Sequence, residues 1–290
     1  MPPSVEQLQK LFPDLEILSF IRHGGMGTYY QAYQPKYDRL AALKILPVNP
    51  DIDAELIVKF KKVVRTMARL NHPNIIRIYE FLESNSTLYL VMEFVEGDIF
   101  ERVINTRSFK LTEILAIITQ ICAALDYAHR NGVIHRDLRP GNTLFDQNGL
   151  VKIGDFGLAR LMGEELFRRK MTATNLEMGT MDYVAPEQLE PGHPVDHRAD
   201  VYSLGMMIYK LLTRTLPRGT FVEPSKLVPN LDPRVNNLVI RCLQRSPDNR
   251  YQNITEVWTE VNQIIKALVT AANSPKFNFP TRRINYRFRK

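Results

Sequence analysis

The stretch His135-Arg136-Asp137-Leu138-Arg139-Pro140-Gly141-Asn142, followed thirteen positions after Asn142 by Asp155-Phe156-Gly157, decides how the rest of this chain is read. It offers a carboxylate, an amide five residues on and a second carboxylate. Those are an acceptor for a hydroxyl proton and two oxygen ligands for a divalent ion, the set that phosphoryl transfer needs. Between them, Leu144 to Phe145 and Leu150 to Ile153 are short apolar strand signals around Asn148 and Gly149, residues suited to a tight type I′ turn. One hairpin would then bring the two acidic residues together. Two unrelated turn aspartates, the bland alternative, leave the joint spacing unexplained.

Upstream, Gly24, Gly25, Met26 and Gly27 lie between two strand signals. Glycines there let backbone amides approach phosphates with no Cβ in the way, although such a cluster alone is more often only a hairpin. Fourteen residues past Tyr30, Lys44 sits inside the apolar run Ala42-Leu43-Lys44-Ile45-Leu46. A lysine in that setting either grips a ligand or is an edge residue reaching for water.

At 290 residues with 44% hydrophobic content, the chain can bury a substantial core as one large domain or two lobes. The longest apolar runs, such as Ile114 to Ile118 and Leu204 to Ile208, fall short of the roughly 20 residues of a spanning helix. The start lacks a basic then apolar block, so the expectation is a soluble chain without a secretory signal. Cys122 and Cys242 sit in apolar helical patterns and are expected as buried free thiols in a cytoplasmic setting. The net charge of +7 comes mostly from Lys276, Arg282, Arg283, Arg287, Arg289 and Lys290. The near-neutral remainder argues against a nucleic-acid-binding domain. The tail reads as a solvated extension or, more sharply, as a segment for an anionic membrane surface.

Along the chain, a polar lead-in (1–16) carries a short helix from Ser4 to Leu11. Strands are expected over Leu15 to Ile21, Thr28 to Tyr33, Ala41 to Leu46, Ile75 to Phe81 and Leu88 to Phe94, with one helix over Ala54 to Leu70 among them. From Thr112 the apolar spacing turns helical, with a left-handed stop at Asn131 and Gly132. Further helices are expected over Asp200 to Thr213, Pro233 to Leu243 and Thr255 to Val269. This order implies an α+β chain in two unequal lobes, a small β-rich lobe with one main helix (17–95) and a larger, mostly helical one (96–269), followed by a basic tail (270–290). The cleft between lobes is the natural ligand site.

On these motifs, from about Leu18 to about Val269, the chain resembles the protein kinases, and more closely the bacterial eukaryotic-type (Hanks-type) Ser/Thr protein kinases. The resemblance implies a bilobal fold that moves the γ-phosphoryl of ATP to Ser or Thr hydroxyls of a protein substrate. It implies Asp137 as the proton acceptor, Asn142 and Asp155 as ligands of Mg²⁺ or Mn²⁺, Lys44 on the α- and β-phosphates and Arg139 offsetting developing charge. Gly24, Gly25 and Gly27 would cover the phosphates, backbone groups of Glu93 and Val95 would meet the adenine edge, and Ala42 and Leu144 would sandwich its faces. Arg136 would receive a phosphate on Thr172 or Thr174, Glu187 would pair with Arg250, and Asp200 would accept hydrogen bonds from the catalytic loop. A homodimer that phosphorylates itself is left open.

The chain departs from that pattern at four points. Arg22 stands at the first loop glycine, Tyr29 at the valine that caps adenine, and Val63 where a helix glutamate pairs with the strand lysine. Glu55, eight residues earlier, would substitute only in a shifted helix. Arg139 also replaces the lysine usual in Ser/Thr kinases. Arg22, Tyr29 and Val63 support the rival expectation of a pseudokinase, a nucleotide-binding or interaction module; Lys44, Asp137, Asn142 and Asp155 oppose it. A small-molecule phosphotransferase is disfavoured by Arg136 and the Ala185-Pro186-Glu187 closure.

Overall fold

Strand β3, Arg39–Leu46, is buried from Ala41 to its end, and the reason lies in the layers on either side of it. It is the centre of a five-stranded antiparallel sheet with β1 (Glu16–Gly24), β2 (Gly27–Gln34), β4 (Ile78–Ser84) and β5 (Thr87–Glu93), in the order β1-β2-β3-β5-β4. Alternate residues serve opposite faces. Ala41, Leu43 and Ile45 belong to one apolar cluster and Ala42 and Leu46 to another, so Lys44 points the same way as Ala42. The computed structural model describes residues 2–24, 27–46, 54–84, 87–146, 148–157, 181–190, 192–217 and 221–272, excluding the side chains of 54–57, 59, 60, 84 and 272.

The outer face is covered by α1 (Val5–Leu11), the short helix expected in the lead-in. Ser4 and Gln7 cap it reciprocally, at 3.2 and 2.8 Å. Leu8 is 1% exposed and Phe12 meets Tyr89 edge to face at 4.6 Å. Burying a leucine of this kind contributes about 2 kcal/mol. The Gln9 side chain then behaves as a piece of strand, donating to Leu15 O at 2.7 Å and accepting from Ile17 N at 2.9 Å. The lead-in is therefore packed against the small lobe as a second layer.

The inner face meets α2 (Ala54–Met67) and continues into the larger lobe as one apolar cluster. The chain then forms β6 (Gly97–Ile99), α3 (Phe100–Thr106) and α4 (Leu111–Arg130). α4 is long and apolar enough to cross a membrane by length and composition, against the expectation of no such segment. Ile114, Leu115, Ile118, Ile121 and Leu125 of α4 are nonetheless buried inside the lobe. Gly132 ends it in the left-handed region, φ 73°. β7 (Thr143–Asp146) and β8 (Val151–Ile153) follow, then α5 (Pro186–Leu189), α6 (Arg198–Thr213), α7 (Pro224–Leu227), α8 (Pro233–Cys242) and α9 (Ile254–Ala272). Cys122 and Cys242 are free and buried, and burial pushes the Cys242 thiol up to about 12.

Two expectations are corrected. The strand expected from Ile75 begins only at Ile78, because Ile75 bridges Ile153 in parallel while Ile76 N donates to Ile153 O and Ile153 N to Asn74 O, both at 2.9 Å. Those bonds tie the lobes together behind the cleft. The β7–β8 connection is not a type I′ turn, which needs two positive φ values. Among the described residues there only Gly149 has one, at 80°; Asp146 N donates to Leu150 O and Gly149 N to Asp146 O. The Asp146 carboxylate caps the turn by accepting from Asn148 N and Leu150 N, each at 2.8 Å, a side-chain solution that makes the second left-handed residue unnecessary.

Candidate active site

On the larger lobe the quoted stretch folds around Asp200, which is 0% exposed. Its carboxylate accepts from His135 N, Arg136 N and His129 Nε2, each at 2.8 Å. Burial works against its charge, but the His129 hydrogen bond and charge with the His135 contacts outweigh it and hold the carboxyl below the usual range. His135 then spans both acidic segments. Its Nδ1 accepts from Asp137 N at 3.2 Å, which leaves Nε2 to donate to Gly154 O at 2.9 Å. Arg136 (φ 66°) and Asp155 (φ 61°) both lie in the left-handed region, which aspartate tolerates better than a long side chain such as arginine.

Asn142 links the two acidic positions. Its Nδ2 donates to Asp137 O at 2.8 Å and Asp137 Oδ2 at 2.7 Å, and its carbonyl accepts from Gly154 N at 2.9 Å. With the amide nitrogen committed to two acceptors, the Asn142 side chain has its oxygen left to offer. Burial raises the Asp137 pKa above the ordinary aspartate value, against the opposing pull of Arg139, His135 and Asn142. Arg139 Nε lies 3.6 Å from Asp137 Oδ1, too far for a hydrogen bond, and is a buried donor without one among the described residues. A donor stranded in that way suits an anionic ligand.

On the small lobe, Lys44 is fully buried and its Nζ meets Asp155 Oδ1 at 2.5 Å. β3 is a central strand, so the edge-lysine reading is excluded. Burial disfavours the Lys44 ammonium, but the charge and hydrogen bond of Asp155 win and its pKa is raised. Burial likewise disfavours the Asp155 carboxylate, and Lys44, with hydrogen bonds from Lys44 and Tyr29, keeps its pKa lowered. Between the lobes lies a cleft of about 240 Å³. Ala42, Glu93, Val95, Asn142, Leu144 and Asp155 line it, together with Arg22 and Tyr29. Lys44 and Asp137 reach it through Asp155 and Asn142.

The sequence profile of the protein kinase domain matches residues 15–276. The chain belongs to the protein kinase domain family. It is 36% identical over 272 residues to the probable serine/threonine-protein kinase PknB of Lactococcus lactis, covering 88% of this chain and 43% of that protein. It is 32% identical to the serine/threonine-protein kinase PknB of Mycolicibacterium smegmatis, covering 90% of this chain and 44% of that protein. The chain thus spans less than half the length of these curated relatives. Among solved structures, the kinase domain of Mycobacterium tuberculosis PknI matches with a TM-score of 0.70 and 27% identity, covering 86% of this chain and 96% of that one.

Within this kinase domain, the expected Glu187–Arg250 pair is present and bidentate, with both contacts at 2.7 Å and both residues buried. Gly24 and Gly27 face each other at the ends of β1 and β2. Gly27 has φ 137°, and a Cβ there would lie 2.2 Å from Ile45 O, so only glycine fits. Gly25, Glu55's side chain, Gly179, Thr180 and the candidate acceptors Thr172 and Thr174 lie outside the described residues. Val63 places an apolar side chain near Gly157, with Cγ1 3.7 Å from where a Cβ on that glycine would stand.

Two contacts were not anticipated from the sequence. Tyr29 donates its hydroxyl to Asp155 Oδ2 at 3.0 Å, and Lys152 pairs with Glu93 Oε1 at 2.5 Å beside the expected adenine edge. Tyr29 was legible in principle: β2 and β3 pair in a regular register that sets Tyr29 directly across from Lys44. Lys152 lies on a three-residue strand, and nothing in its neighbours points at Glu93. Glu93 N already donates to Arg77 O at 2.8 Å, so a contact from Glu93 to an adenine edge falls to its carbonyl.

Proposed function

We propose that this domain transfers the γ-phosphoryl of Mg-ATP to Ser or Thr hydroxyls of proteins. The observation that carries the reading is that Asn142 and Asp155 line one interlobe cleft while Lys44 is paired to Asp155 and Asp137 to Asn142, with the Arg139 guanidinium beside Asp137. Among the described residues no group of three or more His, Cys, Asp or Glu could hold a metal unaided. Asp155 and the Asn142 oxygen would hold Mg²⁺ or Mn²⁺ jointly with nucleotide oxygens, a donor set that fits a hard cation. Such an ion, when bound, offsets the phosphate charge.

The protein's own groups divide the remaining work. Asp137, its Oδ2 held by Asn142, orients the acceptor hydroxyl and takes its proton. Arg139 provides a buried cation where charge develops, and Lys44 holds the phosphates once its partner Asp155 is shared. Ala42 and Leu144 give the apolar walls for adenine. The Ala185-Pro186-Glu187 segment, anchored by Arg250, supports a protein acceptor. The buried free thiols fit a reducing, cytoplasmic compartment. Autophosphorylation between two copies belongs to the same reading, and so does contact of the basic tail with an anionic surface.

Purified chain with Mg- or Mn-ATP and a generic protein substrate is expected to yield phosphoserine or phosphothreonine. Asp137→Asn should cut the rate by about 10²–10⁴-fold. The second reading, a pseudokinase, draws on Val63 and the absence of a carboxylate at that position. Nucleotide-dependent thermal stabilisation with no transfer under either metal would favour it.

A further inference from the structure

Two of the departures, Arg22 and Tyr29, meet at the Lys44–Asp155 pair. The Tyr29 hydroxyl donates to Asp155 Oδ2 at 3.0 Å, while Lys44 Nζ occupies Oδ1. The Tyr29 ring lies 5.0 Å from Lys44 Nζ, and the Arg22 guanidinium stands 4.4 Å from the same ring. Both distances are within cation–π range. On α2, Val63 directs its side chain near Gly157, two residues past Asp155.

An ammonium fully buried in a strand needs a fixed partner. Asp155 alone is a poor one, since the same carboxylate must also serve a metal. A carboxylate has about four acceptor sites, so Oδ2 can keep the tyrosine hydroxyl while another site takes a cation. Resting on the kinase reading above, we propose that Tyr29, braced by Arg22, is a positioning residue that holds Lys44 and Asp155 in register for phosphate and metal, in place of the carboxylate missing at Val63. The hydroxyl fixes the Asp155 rotamer, and the ring face gives the Lys44 ammonium a second contact that is not itself a charge. That arrangement makes the phosphate end of the cleft depend on β2 rather than on α2.

Tyr29→Phe keeps the ring and removes only the hydroxyl. Calorimetry with Mg-AMP-PNP and with adenosine separates the phosphate end of the cleft from the adenine end, and thermal unfolding checks the fold. Y29F is expected to bind Mg-AMP-PNP about tenfold more weakly, the size expected for a hydrogen bond to a charged group, and to bind adenosine as the wild type does. R22Q should show a smaller loss of the same kind, about twofold to threefold. Adding V63E to Y29F should recover most of the loss. Unchanged Mg-AMP-PNP affinity in Y29F, an equal loss for adenosine, or no recovery in Y29F/V63E would overturn the inference. None of these arms requires turnover, so a wild type that binds nucleotide without transferring phosphoryl would sink the kinase reading alone.

Discussion

The two walls of the cleft are built on different principles. The larger lobe fixes its functional groups with a connected network: Asp200 binds two backbone amides and His129, His135 spans to Gly154, and Asn142 clasps Asp137. The small lobe holds the Lys44 ammonium with one ion pair and one tyrosine. A connected buried network resists change because loss of a member strands its buried partners. The small lobe's pair can be shared with a ligand, as the proposed phosphate contact requires. Rigidity on one wall and exchangeability on the other is a sensible division for a site that must orient one reactant and admit another.

The largest effect expected from breaking this contrast lies in the larger lobe. Glu187→Ala leaves the Arg250 guanidinium buried without its carboxylate, with only backbone carbonyls to accept from it, and should cost about 3–5 kcal/mol in chemical denaturation. Leu8→Ala, on the small lobe's outer layer, should cost about 2–3 kcal/mol. Hydrogen exchange would place that second loss in the sheet and leave α4 and α6 protected; uniform deprotection would erase the distinction between the walls.

Acid sharpens the comparison further. Asp155 and Asp200 both have folded pKa values below the ordinary one. Their stabilisation is therefore complete above the unfolded value of about 3.9 and is lost as pH falls through the depressed values. Asp200→Asn should flatten that acid limb in thermal unfolding curves. Asp137 has the opposite shift, raised by burial. A base must be unprotonated, so the acid side of the kcat/KM profile should lie above the ordinary aspartate range. A limb at the usual value would deny Asp137 that part. The smallest effect is expected for Lys61→Ala at the exposed Lys61–Glu83 pair, within about 1 kcal/mol by the same denaturation assay.

Much of the molecule was readable from the chain. Lys44, Asp137, Asn142 and Asp155 announced themselves because burying a charge in an apolar strand, or spacing two carboxylates at a set interval, is costly or improbable unless a ligand repays it. The period of the apolar residues gave the strands and helices to within a few residues at most ends. The misreadings share a cause. Ile75 left its strand for a bridge to Ile153, and the β7–β8 turn used the Asp146 carboxylate instead of a second left-handed residue. In each case a partner distant in sequence, or a side chain acting as backbone, replaced the local rule.

What the sequence determined by itself is the inventory: which groups are present, at what spacing, and that no carboxylate stands at Val63. Only the tertiary structure decided what the unusual residues do together. Arg22, Tyr29 and Val63 read singly as defects, since each departs from a pattern in its own segment. Strand pairing sets Tyr29 against Lys44, and the interlobe bridge sets both against Asp155, more than a hundred residues away. Side-chain contacts of that kind follow from which backbone edges pair, and pairing is a property of the folded whole.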